Sequence, residues 1–212
     1  MLLRVYRYRI TAGREPDFES FLRDRSIEFV RNLPGVASAW FGRQDADGAR
    51  LFAGVTCWQD YDSMIAVTGS DLERPIVFPS DIDYEVGGTA QHFENIDEEP
   101  VGGGSDGTVL RLLQGRIARG REEEVYASIR QEGWPLLGRL DGIVDARIGR
   151  QSSPDGDVIL HVTVWRDRTA LEAATHGALD RPLMPLPEGS FVVQSIDHFE
   201  IIQALARLGS SA

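Results

Sequence analysis

The chain repeats itself. Leu3-Arg4 aligns with Leu110-Arg111, Ile10 with Ile117, and Gly13-Arg14-Glu15 with Gly120-Arg121-Glu122. Gly35-Val36 aligns with Gly142-Ile143, Gly42-Arg43-Gln44 with Gly149-Arg150-Gln151, Val55-Thr56-Cys57-Trp58 with Val162-Thr163-Val164-Trp165, and Arg74-Pro75 with Arg181-Pro182. All of these pairs stand 107 residues apart, and the offset slips to 106 only where His92-Phe93-Glu94 meets His198-Phe199-Glu200. A period of this length is a whole domain rather than a solenoid unit. The chain of 212 residues therefore divides into 1–97, a glycine-rich connector 98–107, 108–203 and a tail 204–212. The connector is acidic and then glycine-rich, with Pro100 breaking any helix, and reads as flexible.

Each half spells strand, helix, strand, strand, helix, strand. Residues 2–10 and 108–118 are proline-free runs of β-branched, aromatic and leucine side chains. Phe18, Phe21, Leu22, Phe29, Val30 and Leu33 recur at helical spacing over 14–32, and Pro34-Gly35 stops that helix. Val125, Ile129, Leu136, Leu137 and Leu140 repeat the pattern, with Gly133 and Pro135 predicting a kink or an early break. Turn residues at 45–48 and 152–156 make hairpins of strands 36–44 with 50–58 and 143–151 with 157–165. Asp60 and Asp167 stand as N-caps of a short second helix, and closing strands follow at 82–94 and 190–202. This is the ferredoxin-like βαββαβ order, an antiparallel sheet with helices on one face. The expected fold class is α+β, with two such repeats packed sheet to sheet as an intramolecular dimeric α/β barrel.

Composition removes several functions. With 22 Lys and Arg against 33 Asp and Glu, the formal charge is −11, which disfavours a grip on nucleic-acid phosphates or docking on anionic membranes. No segment reaches the apolar length of a membrane span, and Arg4, Arg7 and Arg9 interrupt the start where a secretory signal would be apolar. Cys57 stands alone, so no internal disulfide forms and a cytoplasmic setting is expected. The expected partner is a small-molecule substrate, with the chain a monomeric pseudo-dimer or a further homo-oligomer.

Two letter-perfect motifs are set aside. Gly102-x-Gly104-x-x-Gly107 and Gly103-x-Ser105-x-Gly107 follow a connector and precede a strand, whereas both chemistries need strand before and helix after. No metal spacing stands out; Asp81 and Asp83 read as solvated loop residues.

The informative side chains are aromatic, imidazole and guanidinium. Trp58 and Trp165 end the third strand of each half, as core residues or as pocket walls. Strand alternation puts Ile159, His161, Thr163 and Trp165 on one face, and Phe52, Gly54, Thr56 and Trp58 on the matching face. Histidine opposite glycine is an asymmetry between the halves. His176 follows the second short helix, where the first half has Gly69. His92 and His198 recur, as pocket bases or as sheet-edge residues. Arg4 and Arg111 either pair with Glu94 or Glu200 or hold an anionic substrate. The working pocket is expected mostly in the second half.

The duplicated βαββαβ unit, the strand-end tryptophans and the closing His-Phe-Glu strands resemble a tandem member of the antibiotic biosynthesis monooxygenase family, within the dimeric α+β barrel superfamily. That resemblance implies a cofactor-independent monooxygenase acting with O₂ on a small aromatic or polyketide-like substrate in an apolar pocket. His161 or His176 would be the base, with Trp165 and Arg111 as positioning residues. Trp58, Gln114, Thr163, His92, His198 and Arg4 complete the expected pocket, and no cofactor is required. One alternative is a non-catalytic small-molecule binding or stress-response protein. Another is a haem-binding or haem-degrading monooxygenase, which resembles this chain at Trp165 and His176. The asparagine that branch carries on its first strand falls here at about Leu113, beside Gln114, and the first half offers Trp58 but Tyr6 and Gly69.

Overall fold

A computed structural model describes residues 1–46, 49–73, 85–96 and 101–205. Arg74-Pro75, Asp81, Asp83 and the start of the predicted 82–94 strand, part of the 45–48 turn, residue 97 and residues 98–100 of the connector lie outside that set. The fold is mixed α+β on antiparallel strands. It separates into two compact units, residues 1–92 with 199–212, and residues 93–198. The division falls inside strands rather than in the connector.

In the first unit β1 (Leu2–Ile10) pairs with β3 (Ala49–Trp58), and β3 with β2 (Val36–Ala46). The early part of β4 (Glu85–Asn95) lies beside β1. The outer edge of β2 takes the end of the chain's last strand, with Ala39 opposite Leu205 and Arg43 opposite Glu200. The 204–212 tail therefore begins as strand, and residues 206–212 lie outside the described set.

The second unit reuses the same register. β6 (Val109–Ile117) pairs with β8 (Val158–Trp165), and β8 with β7 (Ile143–Gln151). Leu2 faces Trp58 as Val109 faces Trp165, and the bulge between Val36 and Ser38 recurs between Ile143 and Asp145. The first part of β9 (Phe191–Leu205) lies beside β6, and Glu94 and Asn95 pair with β7.

The connector departs from expectation. Val101–Gly102 forms β5 on β7, and the amides of Gly103 and Gly104 both donate to the Val144 carbonyl. Glycine is required here: Gly102 has φ +81°, and a Cβ on it would stand 2.1 Å from that carbonyl oxygen.

Helices cover one face of the strands in each unit. In the first unit α1 (Glu15–Phe21), a π-helical turn (Leu22–Ser26) and α2 (Ile27–Arg31) form one continuous run. In the second unit α4 (Glu122–Ser128), a π-helical turn (Ile129–Gly133) and α5 (Trp134–Leu137) do the same at matched positions. The predicted break at Pro135 is absent. A proline ring collides with the carbonyl four residues back in a regular helix, and here the wider π turn directly precedes it. The short helices α3 (Tyr61–Thr68) and α6 (Arg168–Ala174) open on Asp60, which accepts from Ser63 N at 2.7 Å, and Asp167, which accepts from Ala170 N at 2.8 Å.

The helix-side core of the first unit is aromatic. Tyr6, Tyr8, Phe41, Phe52 and Trp58 from the sheet meet Phe18, Leu22 and Met64 from the helices. Tyr8 and Phe52 both stand edge-on to Phe18, at 5.6 and 5.1 Å. In the second unit the layer is aliphatic: Ala146, Ile148 and Ile159 against Val125, Ile129 and Met184. The reverse faces are also closed to solvent, with Val5, Val55, Leu112 and Val162 all at 0% exposure. Among the described residues no helix is long and apolar enough to cross a membrane.

Candidate functional site

Directly opposite residues on antiparallel strands share a face, and this fixes where the candidate side chains go. Leu113 faces His161, and Arg111 faces Thr163. Ile148 also faces His161 and belongs to the helix-side core. His161, Thr163, Trp165 and Arg111 therefore lie on the helix-covered face of the second unit, each at 1% exposure or less.

Two-residue alternation put Ile159, His161, Thr163 and Trp165 on one face, and the strand register adds Arg111 to it. Gln114 faces Leu160 and so points to the reverse face, half-buried. His176 is exposed in the turn after α6, at φ 51°, with its amide donating to the Ala173 carbonyl. It occupies a helix-terminating left-handed position, as Gly69 does at φ 75°. His176 and Gln114 thus stand apart from the buried cluster.

Each tryptophan is anchored locally. Trp165 Nε1 donates to Thr163 Oγ1, and Trp58 Nε1 to Thr56 Oγ1, each at 2.9 Å. Both indoles are fully buried, so the N–H is satisfied inside the strand and the ring serves the core.

The expected pairing of Arg4 and Arg111 with Glu94 or Glu200 does not occur. Glu200 meets Arg43 at 2.8 Å and Glu94 meets Arg150 at 3.1 Å, because those arginines sit directly across the strand pairs from the carboxylates. Arg4 and Arg111 are left inside. Arg4 Nε donates to His92 Nε2 at 3.1 Å. Arg111 Nη2 donates to the Arg181 carbonyl at 2.5 Å, while its Nε and Nη1 have no partner.

Five more nitrogens of the second unit are in the same state, two of them Arg147 Nε and Nη1 on the reverse face. His161 Nδ1 and Nε2 and His198 Nε2 are buried without a hydrogen-bond partner. Native interiors rarely leave such groups open, so each requires an explanation. Burial pulls the Arg111 guanidinium down to about 10, which leaves it a cation at neutral pH. Burial first, and the Arg111 charge second, hold His161 at about 3 and His198 at about 4. Both imidazoles are therefore neutral at pH 7, and each has one nitrogen lone pair to accept a proton.

The segment after α6 closes over this face. Besides the Arg181 carbonyl, Met184 packs beside Gly133 at the π turn, the Pro185 carbonyl accepts from Ser128 Oγ at 2.9 Å, and that of Glu188 accepts from Arg121 Nη1 at 2.7 Å. Sequence reasoning missed this cover because its anchors are main-chain carbonyls, which any residue supplies. A buried ion pair was missed too: Arg147 Nη2 meets Asp145 Oδ2 at 2.8 Å on the reverse face, both at 1% exposure. The signal was present, since two opposite charges two residues apart share one face of a strand whose neighbours are apolar.

A cavity of about 90 Å³ lies further along the helix, lined by Ile96, Tyr126, Ile129, Arg130, Trp134 and Arg150. Among the described residues no cluster of His, Cys, Asp and Glu is able to hold a metal ion.

No family model and no curated protein matches the sequence. Solved structures do match. A candidate monooxygenase from Lactobacillus acidophilus superposes with a TM-score of 0.67 at 12% identity, covering 97% of this chain and 98% of its own. One from Fusobacterium nucleatum gives 0.63 at 12% identity, covering 97% and 93%. The chain shares the fold of these two structures. An anthrone oxidase-like protein shares it, with a TM-score of 0.55 at 12% identity over 97% and 92%.

The residues do not come together as the resemblance to haem-degrading proteins implies. The first-strand asparagine position holds Leu113, packed across from His161, and His176 projects from an exposed turn.

Proposed function

We propose that the protein is a cofactor-independent monooxygenase that oxidises a small phenolic or enolisable aromatic of polyketide type, on the helix face of its second unit. We read the two halves as fused copies of one ferredoxin-like unit, of which the second carries the chemistry. The observation behind this reading is the set of sealed, unpartnered nitrogens on Arg111, His161 and His198. Burying such groups unsatisfied is costly, and enzymes accept that cost where a substrate will satisfy them.

The reaction needs a base, a charge to hold the developing anion, and an apolar surround. A neutral imidazole takes the substrate proton, and the Arg111 cation stabilises the oxygen on which the negative charge settles. The carbanion form passes one electron to O₂, and the two radicals combine to make a carbon–oxygen bond. Protonation gives a hydroperoxide, and loss of water then leaves a carbonyl. One oxygen atom ends in the product and one in water. Thr163 and Trp165 form the wall beside Arg111. Arg4, His92 and Trp58 belong to the matched face of the first unit, where the Arg4–His92 bond is already made.

An oxygen electrode with anthrone as substrate tests this reading. Uptake of one O₂ per quinone formed is expected, falling about a hundredfold or more in Arg111→Gln. Absence of uptake across the pH range of folding overturns it. A second reading, small-molecule binding without turnover, draws on the closure over His161; it predicts bound ligand with no oxygen consumed.

A further inference from the structure

The two units differ at one bond. On matched first and last strands, Arg4 Nε donates to His92 Nε2 at 3.1 Å, while Arg111 Nε and His198 Nε2 are both buried and both unpartnered. Arg111 is held away by the Arg181 carbonyl, which takes its Nη2. The first unit has satisfied its own donor and acceptor. The second has the same two groups and has left them open.

We propose that a single hydroxyl group of an aromatic or enol ligand occupies the position of the missing bond, accepting from Arg111 Nε and donating to His198 Nε2, and that the first unit binds none. An open N–H donor beside an open lone pair matches a group that both accepts and donates through one oxygen. A hydroxyl does so; a carboxylate ion would meet the lone pair of His198 with no proton to give. With an acidic hydroxyl the proton passes to His198: the O–H bond breaks, an Nε2–H bond forms, and the oxyanion stays on Arg111. That assigns His198, rather than His161 or His176, as the base. The assignment rests on the placement of the site proposed above but not on its oxygen chemistry.

The probe is 4-nitrophenol, whose anion is yellow and whose neutral form is not. Titrated into the full chain at a pH below its own pKa, it is expected to bind once per chain and to yellow on binding. His198→Gln is expected to weaken binding about tenfold or more and abolish the colour, and Arg111→Lys to weaken it similarly, as lost bonds to a charged group do. His92→Gln in the first unit is expected to leave binding within about twofold. Two molecules bound per chain, no binding by the unaltered protein, or equal losses in His92→Gln and His198→Gln would each overturn the proposal. The oxygenase reading fails separately. Yellow binding with no oxygen uptake on anthrone sinks that reading alone, whereas uptake that survives His198→Gln sinks the assigned base alone.

Discussion

Position 54 of the first unit is glycine, and the Phe41 ring lies 3.2 Å from where its Cβ would be. The matched position 161 is histidine, facing Ile148 where the first unit has Phe41. Around Gly54 the face is filled by Tyr6, Tyr8, Phe18 and Phe52, with Tyr6 and Tyr8 stacked at 4.8 Å. Around His161 the side chains are smaller and aliphatic, and the polar groups among them are open. On the reverse face the contrast continues: Ser38 and Trp40 stand where the second unit buries Asp145 and Arg147. One register has thus been packed in two ways. The first unit fills its helix side with aromatic rings, while on that side of the second Arg111 and His161 keep open nitrogens.

The largest effect that would break this comparison is on the buried ion pair. Arg147→Met strands the Asp145 carboxylate without its cation and is expected to cost about 3–5 kcal/mol. Trp40→Phe at the matched position removes an N–H that already lacks a partner, and is expected to cost about 1–2 kcal/mol. Denaturant midpoints of the two variants decide it, and equal losses would mean the reverse faces are energetically alike.

The imidazoles give the next effect. His161, held at about 3, and His92 and His198, held at about 4, have folded pKa values below the unfolded value near 6.5. In that window the unfolded chain binds more protons, so the stability present above pH 6.5 is lost as pH falls toward 4. About three protons should be taken up on unfolding near pH 5, and about two in His161→Leu. Stability curves at several pH values measure this slope.

His161→Leu itself sharpens the comparison. Because neither imidazole nitrogen has a partner, the apolar replacement is expected to stabilise the fold by about 1–2 kcal/mol while removing activity. A loss of stability on thermal melting would show that the imidazole is satisfied in solution. The smallest effect is a symmetric one. Asp60→Ala and Asp167→Ala each remove one capping bond and are expected to cost about 1 kcal/mol apiece, equally in the two units.

Much of this fold was readable because its determinants are local and repeated. The 107-residue offset carried the matched strands and the caps at Asp60 and Asp167, and strand alternation carried the shared face of His161, Thr163 and Trp165. What was not readable depended on long-range partners. The sequence does not say that Glu94 and Glu200 face Arg150 and Arg43, since cross-strand pairing between distant strands sets that choice. Nor does it say that His176 ends a helix at positive φ rather than entering a pocket. The open nitrogens of Arg111 and His198 were legible only as two recurring residue types, since a bond made in one unit and missing in the other is a matter of ångströms.

The most direct test of that asymmetry is the ¹⁵N signal of each imidazole followed by NMR while 4-nitrophenol is added. If the second unit works and the first is a closed copy, the Nε2 resonance of His198 shifts toward a protonated nitrogen and that of His92 stays put. Movement of both signals together, or of His92 alone, would contradict it.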